Sequence, residues 1–342
     1  MKKTVPVKLI LLPVMTALLL CGCATASGKA SGSAAGTSAE TIWKTADAGA
    51  SGASSAETAS ASASDTAGSL SAPASQTASS GGSPATSGSS VSPTDADAGP
   101  DTSAALSVLA GKKLTICGDS ISTYEGYIPA AYNDFYPAGT DIDDVSKTWW
   151  MQVIQKTGMT LCSNASSSGS TVSGDLNDPV GFCYGSSVRL NDLQGSDGSS
   201  PDIILVLGGA NDAINGVSLD TFTSAYQTML DRMQSQYPNA QIICMTCLPI
   251  TMWDDGNEMH YRPYVNPLGM TIEFYNYEIR TICKTRDPSV PFIDSYLCGI
   301  RPDNALQNSA DGTHPNAAGA TLLADYVVQQ LENFAADGTI TQ

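Results

Sequence analysis

Five nearly unbroken apolar runs mark the later part of the chain, at 113–117, 160–163, 202–207, 241–248 and 290–293. They are continuous rather than alternating, and each therefore predicts a strand covered on both faces. Between them lie stretches of helical periodicity. "SKTWWMQVIQKTG" carries a start signal at Ser146, an apolar face and a stop at Gly158. "SLDTFTSAYQTMLDRMQSQYP" begins at Ser218, places Asp220 in its first turn and ends before Pro238. "NPLGMTIEFYNYEIRTICKTRD" and the closing "NAAGATLLADYVVQQLENFAAD" complete the set. Strands alternating with helices predict an α/β fold with a parallel sheet and helices on both sides. In such folds the ligand site lies off the carboxyl ends of the strands.

The start of the chain follows a different pattern. Lys2, Lys3 and Lys8 precede an apolar run at 9–20 that contains Pro13. The run is shorter than the ~20 residues of a membrane span, and reads as the core of an export signal. The next residues, Leu20-Cys21-Gly22-Cys23-Ala24, resemble the bacterial lipoprotein signal. That resemblance implies signal residues 1–23, lipidation at Cys23 and anchorage to the outer face of a bacterial cell membrane; simple cleavage and secretion is the alternative. Residues 24–105 are Ser, Ala, Thr and Gly with scattered Asp and Pro, and Trp43 is their only aromatic residue. Such a segment buries too little apolar area to offset the entropy of ordering it, so it is expected to be a disordered tether. Residues 106–342 then carry the fold as one domain.

The formal net charge of −17 argues against nucleic acid and anionic membrane surfaces as partners, leaving the lipid anchor as the membrane contact. Seven cysteines fall in the domain, an odd number that does not suggest a disulfide framework. Cys244 and Cys247 have CxxC spacing but sit within one apolar run. On a strand, residues three apart face opposite ways, so the pair reads as buried thiols. The chain has only two histidines, and no metal site is expected.

Catalytic-type residues gather in the loops after the strands. The first run ends in Gly118-Asp119-Ser120, the second leads into "NASSSGSTVSG", the third into "GGANDAING", and "SADGTHPNAAG" follows the last. Acyl transfer needs a hydroxyl, a base, a group to orient that base, and donors for the oxyanion. Ser120 supplies the hydroxyl and His314 the base, with Asp311 three residues earlier to fix its tautomer. Backbone amides of Ser120 and Gly169 and the Asn211 side chain are candidates for the oxyanion hole, Gly174 being an alternative to Gly169. Asp119 is expected to bond neighbouring backbone, and Asp212 to orient its loop.

These blocks (Gly118-Asp119-Ser120, the Gly169 loop, Gly209-Ala210-Asn211-Asp212 and Asp311-Gly312-Thr313-His314-Pro315) resemble the SGNH, or GDSL-type, hydrolases in kind and order. The resemblance implies a three-layer α/β/α, flavodoxin-like sheet of five strands and serine esterase activity without a cofactor. It assigns the nucleophile to Ser120, the base to His314, its partner to Asp311 and the oxyanion hole to Ser120, Gly169 and Asn211. Two aromatic insertions, "TYEGYIPAAYNDFYPAG" and "MWDDGNEMHYRPYVNP", follow the first and fourth strands. Tyr124, Tyr127, Trp253 and His260 are candidate rim residues, since flat rings beside polar groups suit sugars. Neither insertion is a continuous apolar lid. The expected substrate is therefore a short acyl ester, O-acetyl above all, on a polysaccharide or on peptidoglycan. A lipase or lysophospholipase, and a glycan-binding lipoprotein without catalysis, are the alternatives.

Overall fold

The computed structural model describes residues 102–252 and 262–341. The export signal, Cys23, the tether up to residue 101, Trp253 and His260 lie outside the described residues. The chain runs α1 (Thr102–Leu109), β1 (Lys113–Gly118), α2 (Trp149–Thr157), β2 (Thr160–Asn164), α3 (Ser187–Asn191), β3 (Ile203–Leu207), α4 (Ala210–Ile214), α5 (Leu219–Gln236) and β4 (Gln241–Met245). A two-stranded ribbon follows, β5 (Thr251–Met252) with β6 (Arg262–Pro263), then α6 (Ile272–Thr285), β7 (Phe292–Ile293), α7 (Ala305–Asn308) and α8 (Ala317–Ala336).

The main sheet has five strands in the order β2-β1-β3-β4-β7, and all its pairings are parallel. Alternate side chains of β3 show why its sequence reads as continuously apolar. Ile203, Leu205 and Leu207 pack into one core with Leu114, Ile116, Trp149, Trp150 and residues of α1 and α8. Ile204 and Val206 enter a second core on the opposite face, with Phe222, Tyr226, Met229 and Met233 of α5 and Tyr275 and Ile279 of α6. The sheet is thus the middle of three layers, and the α/β expectation is met.

Local signals explain several helix ends. Ser218 accepts the Thr221 amide to cap α5, and Asn316 accepts the Gly319 amide to cap α8. Gly158 ends α2 in the left-handed conformation, at φ +72°, which glycine adopts without strain. The start of α2 differs from the sequence reading. Residues 145–147 form a 3₁₀ turn capped by Asp144, and α2 begins three residues after Ser146, capped by Thr148.

Two further differences have clear causes. The first is α1, whose residues 102–105 fall at the expected end of the tether. It packs on α8 and buries Ala105, a contact that a Ser/Ala/Thr-rich composition does not reveal. The second concerns Cys244 and Cys247, which share one core rather than facing opposite ways. β4 ends at Met245, so the strand alternation that separates residues three apart has already lapsed at Cys247. Both are free thiols, as are the other five domain cysteines.

Candidate active site

Ser120 stands at the start of a 3₁₀ turn, residues 120–122, that opens directly off β1. The preceding Gly118 is required by space. A Cβ there would lie 2.5 Å from Ser122 Oγ and 2.9 Å from Ser166 Oγ. Asp119 accepts the Ile121 amide at 3.0 Å and caps the turn, as a turn aspartate does. It is buried, and burial pushes its carboxyl up to about 6, while the Ile121 amide, His314 and Arg189 pull the other way.

His314 arrives from the loop before α8. Its Nε2 lies 2.8 Å from Ser120 Oγ, and its Nδ1 lies 2.6 Å from Asp311 Oδ2. With Asp311 ionised, Nδ1 carries the proton and donates it, leaving Nε2 to accept from the serine hydroxyl. The other carboxylate oxygen, Oδ1, accepts the amides of Thr313 at 3.0 Å and His314 at 2.8 Å. One aspartate therefore shapes the loop and orients the ring together. Partial burial pushes the Asp311 carboxyl up, but the His314 side chain and these two amides outweigh it and hold the group below the usual carboxylate range. The base of the second insertion braces the same loop: the Thr251 amide and hydroxyl both donate to the Gly312 carbonyl at 2.9 Å.

Asn211 sits in the first turn of α4, directly after β3, and is 6% exposed. Its side-chain amide donates one hydrogen to the Ser170 carbonyl at 2.9 Å. An amide nitrogen carries a second hydrogen, which makes Asn211 a candidate donor to a ligand oxygen. The Ser170 carbonyl ties Asn211 to the residue beside Gly169, which has φ +78°. A Cβ at Gly174 would lie 3.1 Å from Cys183 Cβ. Of the two glycines, Gly169 is the one placed next to Asn211's partner. Asp212 accepts the amides of Val172 and Ser173, each at 2.9 Å, and the Ser173 hydroxyl, so it shapes the loop between Gly169 and Gly174.

Two residues the sequence did not single out complete the arrangement. Arg189 on α3 is fully buried. Its Nη1 donates to the carbonyls of Gly118, at 3.1 Å, and Ala165, and its Nε to that of Gly181 at 2.6 Å. The Tyr132 and Tyr184 rings lie 4.8 and 5.1 Å from the guanidinium. Phe135 is the second. Its ring stacks on the His314 imidazole with centroids 3.6 Å apart and planes 15° apart.

The two rim candidates within the described residues pack differently. Tyr124 and Tyr127 meet edge to face, with centroids 5.9 Å apart, and Tyr127 lies 5.8 Å from the buried Trp150. Tyr127 remains 41% exposed and lines a groove of about 620 Å³ along β2, together with Asn164, Asp192 and Gln194. No group of three or more metal-ligating side chains occurs among the described residues.

Residues 112–252 match the family model for GDSL-like Lipase/Acylhydrolase. A multidomain esterase of Ruminococcus flavefaciens is 30% identical over 155 residues, which is 44% of this chain and 18% of that protein. The chain thus spans under a fifth of the length of that relative. Among solved structures, a protein described as a GDSL-like lipase from Bacteroides uniformis is 24% identical, with a TM-score of 0.46 over 67% of this chain and 99% of that one. A family two carbohydrate esterase from Clostridium thermocellum, solved with cellohexaose, is 15% identical, with a TM-score of 0.44 over 65% of this chain and 64% of that one.

Proposed function

We propose that this protein is a serine esterase that removes short acyl groups, O-acetyl above all, from a carbohydrate. The observation that carries the reading is the unbroken chain of contacts from Asp311 through His314 to Ser120, at 2.6 and 2.8 Å. The match to an acylhydrolase family model and the likeness to an esterase support the reaction class.

In this reading Ser120 Oγ attacks the ester carbonyl carbon as its proton passes to His314 Nε2. The carbonyl electron pair moves onto oxygen, where the amides of Ser120 and Gly169 and the second amide hydrogen of Asn211 receive the charge. When the intermediate collapses, the carbon–oxygen bond to the leaving alcohol breaks and the imidazolium returns the proton to that oxygen. Water then repeats the sequence on the acyl-serine: His314 takes its proton, the acid leaves, and Ser120 is regenerated. Asp311 stays ionised throughout and holds the tautomer.

The carbohydrate part rests on the setting. Tyr127 offers an exposed ring in a groove that also holds the Asn164 and Gln194 amides and the Asp192 carboxylate, a combination that suits a sugar's CH faces and hydroxyls. Lipidation at Cys23, which the lipoprotein-like signal implies, would hold such a domain close to the cell surface and its polymers. Acetate release from acetylated xylan and from O-acetylated peptidoglycan, with Ser120→Ala as the blank, is the direct test. Release above the blank from either is expected. No release from either, with p-nitrophenyl ester turnover rising beyond butyrate, would point to a lipase instead.

A further inference from the structure

The first aromatic insertion does more than border the site, because it is fastened to three of the loops that build it. Thr123 Oγ1 donates to the Ser120 carbonyl at 3.0 Å and accepts the Phe135 amide at 2.9 Å. The Asn133 amide donates to Ser167 Oγ at 3.3 Å, and its carbonyl accepts the Ser168 amide at 2.7 Å. Those bonds secure the stretch that leads into Gly169. Tyr136, 2% exposed, donates its phenol to the carbonyl of Pro315, the residue after His314, at 2.8 Å. The Tyr136 ring also meets Phe135 edge to face, with centroids 4.9 Å apart. Phe135 is thereby held through its backbone amide and its contact with Tyr136, flat against the imidazole.

We propose that Phe135 is the positioning residue for His314 and that the insertion exists in part to hold it there. This rests on the esterase reading above. The imidazole makes two hydrogen bonds through its ring nitrogens, whose N–H and lone pair are directed in the ring plane, so these bonds resist in-plane rotation. They resist tilting weakly, because the outer torsion of a histidine is broad. A ring stacked at 3.6 Å closes off that tilt on one side. Its π-face also attracts the imidazolium that forms once the serine proton has moved. That attraction arises on the way to the transition state, so it raises turnover rather than substrate binding.

The test is p-nitrophenyl acetate hydrolysis by the full chain. Phe135→Leu keeps the bulk but loses the flat face. It is expected to lower kcat roughly tenfold with KM changed by less than about twofold. Phe135→Tyr and Phe135→Trp restore a face and are expected to stay within about threefold of wild type. A second readout needs no variant of Phe135. The chain has two histidines, so proton NMR resolves both rings, with His314→Gln as the assignment control. The carbon-bound protons of His314 are expected upfield of free histidine through the Phe135 ring current. Absence of that shift overturns the proposal, even if Phe135→Leu fails to fold. An active wild type with an equally active Phe135→Leu, or a loss confined to KM, also overturns it. A wild type inert toward every ester would instead overturn the esterase reading on which the role depends.

Discussion

Arg189 Nη1 donates to the carbonyl of Gly118 at 3.1 Å, which places a buried cation two residues from the candidate nucleophile. The same guanidinium holds Ala165 at the end of β2 and Gly181 in the following loop. One planar fork therefore sets the spacing between the Ser120 turn and the segment leading to Gly169. Arg189→Lys keeps the charge but has one compact ammonium in place of the fork. It is expected to lower kcat for p-nitrophenyl acetate about tenfold or more. Arg189→Met takes the donor from the buried Ala165 and Gly181 carbonyls, at about 1–3 kcal/mol each, while Gly118 keeps the Ser167 amide, and should show a clear loss in urea unfolding.

Replacement of either partner in the Ser120–His314 contact should remove turnover almost completely. Ser120→Ala and His314→Ala are each expected to lower kcat by at least about 10⁴-fold. Because the two act as one unit, the double variant should be no slower than either single one. Additive losses in a double-mutant cycle would show that the residues work separately.

Asn211→Ala removes a candidate oxyanion donor together with the clamp on the Ser170 carbonyl. A loss of roughly 10²–10³ in kcat, with KM little changed, is expected. Gly169→Ala should also be slow, since φ +78° strains a residue with a Cβ and the new methyl would sit 3.3 Å from the Phe182 ring. Steady-state kinetics on one short ester measures both.

Asp119 gives a pH dependence whose sign follows from its burial. Its carboxyl stands at about 6 in the fold against 3.8 for the free group. Between those values the folded state holds more protons than the unfolded one, so this group's contribution to stability falls as pH rises from about 4 to about 6. The difference of about 2 corresponds to roughly 3 kcal/mol. Asp119→Asn keeps an oxygen for the Ile121 amide and loses the charge. It is expected to be more stable than wild type at pH 7 in urea unfolding, with the gap closing below about pH 4. A gap that does not vary with pH would contradict this account.

Gly118→Ala tests the crowding beneath the nucleophile. A methyl 2.5 Å from Ser122 Oγ must displace that side chain or the turn. About 1–3 kcal/mol of lost stability is expected, together with reduced turnover. A differential scanning melt and a rate on p-nitrophenyl acetate read the two effects.

Much of the site was legible because its chemistry is carried by short segments. Gly118-Asp119-Ser120 and Asp311-Gly312-Thr313-His314 each contain their own turn logic: Asp119 caps onto Ile121, and Asp311 onto Thr313 and His314. A residue bonding to neighbours two or three positions away leaves its mark in spacing. Arg189 leaves none. It lies in "SVRLN", which reads as an ordinary polar turn of helix, and its partners are 71, 24 and 8 positions distant. Phe135 was visible only as one ring among five in its insertion. Which of those rings would meet His314 depended on a chain separation of nearly the whole domain.

The amino-acid sequence by itself determined the layered α/β architecture, because residues buried on both sheet faces must be apolar at every position. It also pointed to the candidate hydroxyl, imidazole and carboxylate that the fold brings into contact, because loops at the carboxyl ends of parallel strands share one edge. Tertiary structure alone decided what holds those groups in place. The guanidinium fork on three carbonyls and the ring flat on the imidazole are long-range contacts made by side chains with several alternative partners, and packing selects among those alternatives only once the sheet has formed.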